Sequence, residues 1–159
     1  MKTLIVYYSQ ARGNTRRIAE MAASAINADI AVIRTVKPYE GSYEDIVEQG
    51  RAEVNSGFMP EIEPLAFSTA DYDRIIVGTP TWWYTMAPAV KTFLTKTDLS
   101  GKNVVLLQTH GGWQGRTFKD MKALIKGTVT GEFAVQFDST GGDKLVTEKS
   151  DIEEWIKSL

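Results

Sequence analysis

Five times along this chain a short apolar, β-branched run gives way to a stretch whose apolar residues recur at helical spacing. Nothing else in the sequence narrows the fold as far. Strand–helix alternation of this kind builds a parallel sheet covered on both faces by right-handed crossovers. The runs are Leu4–Tyr8, Ala31–Val36, Asp73–Gly78, Val104–Gln108 and Glu132–Phe137. The helical stretches set Ile18, Ala22 and Ile26 on one face, then Tyr43, Ile46, Val47, Gly50 and Val54, then Ala89, Val90, Phe93 and Leu94. Phe118, Met121, Leu124 and Ile125 follow, and last Ile152, Trp155, Ile156 and Leu159. Ser42 is the expected N-cap of the second helix, and Pro88 suits the start of the third. Phe58–Tyr72, with Pro60 and Pro64 and no clear period, predicts loop with a turn of helix. The expected fold class is therefore α/β: a five-stranded parallel sheet of order 2-1-3-4-5 between two helical layers. At 159 residues, without repeats or linkers, residues 1–159 read as one domain.

In such sheets ligands bind outside the carboxyl ends of the strands, at the topological switch point. With order 2-1-3-4-5, strands one, three and four are adjacent. Their ends carry Ser9–Thr15, Thr79–Met86 and Thr109–Gly115, so these three segments are expected to form one site. The first offers hydroxyls at Ser9 and Thr15, an amide at Asn14, bare backbone at Gly13 and a cation at Arg12. It also leads into a helix N-terminus, whose unpaired N–H groups and positive dipole end attract anions. The set suits a phosphate, although Ser9 or Asn14 taken alone reads equally well as a helix cap. The second segment presents Trp82, Trp83 and Tyr84. Neighbouring side chains do not join one flat stack, so one Trp is expected to face a ligand and the other to pack inward. Core packing or self-association are the alternatives for the pair. In the third, Gly111 and Gly112 let backbone amides approach a ligand edge, or make an ordinary turn. A planar heteroaromatic carrying one phosphate fits all three segments.

Composition excludes much else. There is no cysteine, so disulfides, thiolate metal sites and Cys nucleophiles are absent. That rules out a low-mass tyrosine phosphatase, and Tyr8-Ser9 stands where a receiver domain needs an acidic pair. His110 is the single histidine, and a lone His at a strand end is more often a cap or packing residue than a donor at a ligand rim. Walker-type and dinucleotide fingerprints are missing. A net charge of -2 argues against general nucleic-acid binding. That charge is uneven: residues 40–63 balance at -6, residues 91–127 at +5 and residues 128–159 at -4. Such asymmetry steers a partner or simply marks solvated helix faces. No apolar run approaches the roughly 20 residues of a membrane helix, and with no basic lead before the first strand a cytoplasmic, membrane-free setting is expected.

The chain resembles the flavodoxin family, in its short, single-domain branch. Ile5-Val6-Tyr7-Tyr8-Ser9 leading to Gly13-Asn14-Thr15 carries the resemblance, with Gly78-Thr79-Pro80-Thr81-Trp82-Trp83-Tyr84 and Thr109-His110-Gly111-Gly112. It covers essentially the whole length and implies a flavodoxin-like three-layer sandwich with noncovalent FMN. By motif position it implies that Ser9, Gln10, Arg12, Gly13, Asn14 and Thr15 hold the phosphate. Pro80, Thr81, Trp82, Trp83 and Tyr84 would line one side of the isoalloxazine. Thr109, His110, Gly111, Gly112 and Gln114 would line its other side and pyrimidine edge. Three residues separate Ser9 from Gly13, one more than the commonest family spacing. The segment after strand three has no glycine where many flavodoxins flip one during one-electron reduction. The implied function is electron transfer with redox proteins or a small-molecule acceptor. The alternative is an FMN-dependent NAD(P)H oxidoreductase acting on quinones or nitroaromatics. A monomer or homodimer is expected.

Overall fold

The computed structural model describes residues 1–10 and 12–159; Ala11, within the first candidate segment, lies outside the described residues. Five parallel strands form the sheet: β1 (Thr3–Tyr7), β2 (Asp29–Val32), β3 (Arg74–Trp82), β5 (Asn103–His110) and β6 (Thr128–Gln136). A two-residue β4 (Thr85–Met86) folds back antiparallel on the end of β3. The order is β2-β1-β3-β5-β6, the 2-1-3-4-5 pattern that the alternation predicts. In register, β1 sits between Leu4↔Asp29 on one side and Leu4↔Ile75 on the other.

Successive strand residues face opposite ways, so each strand feeds two cores. Ile5, Ile76, Val105, Leu107 and Val135 pack with Ile18 and Ala22 of α1 (Asn14–Ile26) and Ile152 of α5 (Lys149–Ser158). Leu4, Val6, Ile75, Val77, Val104 and Leu106 pack with Val90 and Phe93 of α3 (Pro88–Lys96) and Met121 of α4 (Thr117–Leu124). The remaining helix, α2 (Tyr43–Ser56), packs on α3 and β3. Ser42 caps it in a reciprocal box: its Oγ accepts the Asp45 N–H at 3.2 Å while Asp45 Oδ2 accepts the Ser42 N–H at 3.0 Å. Pro88 opens α3, and the irregular 58–72 stretch holds a single 3-10 turn at Thr69–Asp71.

Three strands depart most from their expected bounds, each for a physical reason. β2 starts and stops earlier than Ala31–Val36, at the residues that pair with Leu4 to Tyr7. β3 runs four residues beyond Gly78, since Thr79 and Pro80 still lie beside β5 and Thr81 and Trp82 pair with β4. β6 starts at Thr128 rather than Glu132. It is an edge strand with alternating exposure, so its first half has no continuous apolar run to announce it. No helix among the described residues is long and apolar enough to cross a membrane.

Candidate functional site

β1 ends at Tyr7 and α1 starts at Asn14. Gly13 takes the left-handed conformation at φ 71° and its N–H reaches the Gln10 carbonyl at 3.2 Å. The Arg16 N–H donates to Ser9 Oγ at 3.3 Å. The N–H groups of Asn14 and Thr15 find no acceptor among the described residues, as the first turn of a helix leads one to expect. Two side chains here are already engaged. Asn14 Nδ2 donates to the Gly142 carbonyl at 2.9 Å, tying α1 to the turn after β6. The Thr15 and Thr109 hydroxyls lie 2.7 Å apart, both buried. One of the two donates to the other, which leaves one hydroxyl proton for a third group. Gly78 makes room for this pair: a Cβ there would come within 3.3 Å of Thr15 Cγ2.

The second segment is a hairpin tip rather than a loop. Trp83 and Tyr84 join β3 to β4 as a two-residue turn with φ of 50° and 68°. Such turns favour Asn and Gly, and a bulky residue there carries strain. The tip is held from both sides. The Arg116 N–H donates to the Tyr84 carbonyl at 2.7 Å, and Gly115 packs so closely that a Cβ would overlap that carbonyl. On the other side the Trp83 indole N–H donates to the Val47 carbonyl at 3.1 Å, with the Arg51 guanidinium 5.8 Å from the ring centre. Trp82 points inward, edge-on to Tyr8 at 5.8 Å and to Tyr39 at 5.1 Å. Gly50 of α2 admits its ring, for a Cβ would meet Trp82 Cε3 at 3.0 Å. Burial, then the nearby Glu53 carboxylate, pushes the Tyr8 phenol up. Burial and the Glu53 hydrogen bond do the same for Tyr39, so both rings stay neutral.

The third segment follows β5. His110 Nδ1 accepts the Gly112 N–H at 3.0 Å, and burial holds the imidazole below its ordinary range. The ring is thus neutral at pH 7, with its proton on Nε2. Gly111 lies against the turn after β6: a Cβ would be 3.3 Å from the Asp138 carbonyl oxygen. That turn is a fourth contributor. Its Asp138 accepts the Thr140 hydroxyl on Oδ2 at 3.0 Å, while its buried Oδ1 has no partner among the described residues.

Together these segments enclose a cleft of about 300 Å³. Of the residues singled out from sequence, Gln10, Arg12, Asn14, Thr15, Pro80, Thr81, Trp82, Trp83, Thr109, His110 and Gly111 line it. Gly13 borders a neighbouring groove between α1 and α5, and Tyr84 a hollow at the cleft mouth. Ser9, Gly112 and Gln114 serve from behind: Ser9 receives Arg16, Gly112 holds His110, and the Gln114 carbonyl accepts Gln108 Nε2 at 2.8 Å. Sequence reasoning missed one wall entirely, formed by Tyr43, Ile46, Val47 and Gly50 of α2. It also missed Phe137, Asp138, Gly141 and Gly142. The Gly141-Gly142 pair after the fifth strand is the one signal that could have found the last group.

A family model described as Flavodoxin matches residues 2–157. Among solved structures, a chain assigned as a flavoprotein from Bacteroides uniformis ATCC 8492 is 26% identical, with a TM-score of 0.78 over 98% of this chain and 97% of its own. A flavoprotein from Lactobacillus acidophilus NCFM, solved in complex with FMN, is 22% identical, with a TM-score of 0.73 over 97% of each chain. Oxidised flavodoxin 2 from Bacillus cereus is 16% identical, with a TM-score of 0.57 over 99% of this chain and 94% of its own.

Proposed function

This chain belongs to the flavodoxin family, and we propose that it is an FMN-binding electron-transfer protein whose cofactor lies in the cleft between β1, β3 and β5. The observation that carries this reading is the division of labour along one cleft. At one end stand the first-turn N–H groups of Asn14 and Thr15, which find no acceptor among the described residues, and Arg12 lines the same cleft. These supply donors and charge for a phosphate without a buried counterion. Further along, Asp138 lines the cleft, and its buried Oδ1, without a partner among the described residues, is an acceptor of the kind a ribityl hydroxyl uses. Trp83 and Gly111 both line the cleft, where an indole face and a residue without a side chain suit a flat ring. These residues fit a phosphorylated, polyhydroxylated, planar group, and FMN is that group.

Bound there, FMN supplies reversible one- and two-electron chemistry, while the protein binds, orients and sets the surroundings. The α1 donors anchor the tail. The Thr15–Thr109 pair offers its remaining proton. Neutral His110 presents Nε2–H near the rim, and Trp82 with Tyr8 and Tyr39 backs the site with apolar surface that keeps water out. The test is a titration of FMN-free protein with FMN, followed by flavin fluorescence and absorption and then by stepwise dithionite reduction. Saturable one-to-one uptake with a one-electron stage is expected. No uptake would remove the reading.

A second reading, an FMN-dependent NAD(P)H oxidoreductase, is favoured by the open mouth of the cleft, where Trp83, Tyr84 and Trp113 are all exposed. Anaerobic addition of NADH or NADPH to the loaded protein separates the two. Bleaching of the yellow colour supports the enzyme; unchanged colour leaves the carrier.

A further inference from the structure

We propose that the groove on the outer side of α2 is a binding site for an arylalkylamine, a protonated ammonium carried on a flat apolar body. The groove measures about 680 Å³ and shares no lining residue with the cleft between β1, β3 and β5. Its existence as a site does not rest on the flavin reading.

α2 turns one face to each hollow. Tyr43, Ile46, Val47 and Gly50 line the cleft, while Gln49, Ala52, Glu53 and Ser56, at the same i, i+3, i+4 and i+7 spacing, line the groove. Val36, Lys37 and Glu61 line it from a second segment that the backbone holds in place. There Thr35 bridges Ile62, and the Val36 N–H donates to the Glu61 carbonyl at 2.9 Å. Gly57 closes α2 in the left-handed conformation, and the Phe58 N–H returns to the Glu53 carbonyl at 2.9 Å. The groove is thus preformed, which lowers the entropy cost of binding. Its volume falls within the roughly 300–1,000 Å³ of small-molecule sites.

Three observations set the chemistry of the occupant. The first is Glu53, only 8% exposed, whose carboxylate forms no ion pair among the described residues. Each oxygen accepts from one neutral donor: Oε1 from the Tyr39 hydroxyl and Oε2 from Gln49 Nε2, the latter at 2.9 Å. A carboxylate has about four acceptor positions, so about two remain, and a buried charge without a cation is costly. A primary ammonium brings both the charge and the donors. The second is the helix end. α2 carries no basic residue in its last turn, and Glu53 and Ser56 set that turn against the groove. The negative end of the helix dipole there favours a cation. The third is the apolar surface around the carboxylate. Phe58 and Val36 are 52% and 49% exposed, and Tyr39 and Pro60 lie in the same groove. Such a patch is poorly covered by water, and the faces of Phe58 and Tyr39 attract a cation. A bare metal cation would leave that surface uncovered, and an uncharged arene would leave Glu53 without a counterion. An arylalkylamine meets both. Tyr39 also lies edge-on to Trp82 at 5.1 Å, so the groove backs onto the cleft through these two rings.

The probe is phenethylamine, titrated calorimetrically into the full-length protein, with 2-phenylethanol as its uncharged counterpart. Both are run without FMN and with FMN at saturation. Saturable one-to-one uptake of the amine is expected in each. Glu53→Gln keeps the shape and removes the charge, so it should weaken the amine about tenfold and leave the alcohol within about twofold. Lys37→Glu changes an exposed side chain at the groove and leaves Glu53 intact. It should tighten the amine about threefold without affecting the alcohol. Phe58→Ala should weaken both compounds roughly two- to fivefold. Should Glu53→Gln fail to fold, the Lys37 and Phe58 variants decide. Absence of saturable amine binding at millimolar concentration overturns the proposal. So does equal affinity for amine and alcohol, or an affinity that none of the three variants moves. Amine binding that FMN displaces would seat the amine in the cleft and likewise overturn it. A protein that takes up no FMN yet binds the amine with this pattern would end the flavin reading and leave this site standing.

Discussion

Single residues at this site trade stability for function. Tyr84 holds φ at 68° with its ring largely in solvent. Tyr84→Asn places there a residue that tolerates the left-handed conformation. It should raise the free energy of unfolding by roughly 0.5–1 kcal/mol in urea titrations while opening the hollow at the cleft mouth. A loss of stability would mean that the ring earns its place by packing rather than by binding. His110 shows the opposite coupling. Burial depresses its folded-state pKa, whereas in the unfolded chain it titrates near its ordinary value of about 6.5. Above that pH both states are neutral and the contribution to stability is complete. As pH falls, the unfolded chain takes the proton first, so stability is lost toward and through the lower folded-state value. The unfolding free energy should therefore drop less between pH 7.5 and 5.5 in His110→Gln than in the parent protein. Residue by residue the sequence was partly legible. Gly13, Asn14 and Thr15 stood out because a strand, a glycine and a cap-type residue in succession have few other uses. Asp138 did not, because a lone acid after a strand looks like any solvated turn; only its buried oxygen, without a partner among the described residues, sets it apart.

At the scale of elements, the site depends on ties between segments far apart in sequence. Asn14 links the start of α1 to the Gly142 carbonyl, 128 residues on. Asn14→Ala should release the turn that carries Asp138 and weaken FMN binding roughly three- to tenfold, the worth of one hydrogen bond, with little change in melting temperature. Unchanged affinity would show that the turn holds its place unaided. α2 contributes differently. Its reciprocal cap at Ser42 and Asp45 fixes where the helix starts and hence where Tyr43, Ile46 and Val47 meet the cleft. Ser42→Ala should cost about 1 kcal/mol in chemical denaturation. The helix and its cap were plain in the sequence from the spacing of Tyr43 to Val54. Its role as a cleft wall was not, because periodicity reports a buried face and not what that face meets. The β3–β4 hairpin was hidden for a related reason. Positive φ at two aromatic residues contradicts turn propensity, and only the clamps from Gly115, Arg116 and Val47 make it tenable.

For the whole molecule, a cleft shared by three strands, two helices and the turn after β6 links occupancy to global stability. A ligand that binds only the folded chain adds about 2.7 kcal/mol at a hundredfold excess over its Kd. For a chain of this size, FMN at that excess should raise the melting temperature by about 5 to 10 °C. Thermal unfolding with and without FMN measures it, and riboflavin, lacking the phosphate, should give a smaller shift. Equal shifts would remove the α1 N-terminus from the cofactor's anchorage.

The residues taken alone determined the alternation of strand and helix, hence a parallel sheet with two covered faces, and they marked three of the segments at its crest. Local spacing suffices for this, since burial on one face leaves a period in the chain. Tertiary structure decided the rest: the extension of β3 into a hairpin, the α2 wall, the pairing of Asn14 with Gly142, and an Asp138 oxygen buried without a partner among the described residues. Each of these depends on distances between residues remote along the chain. Such distances come from the packing of whole layers against one another and leave no period in any short stretch of sequence.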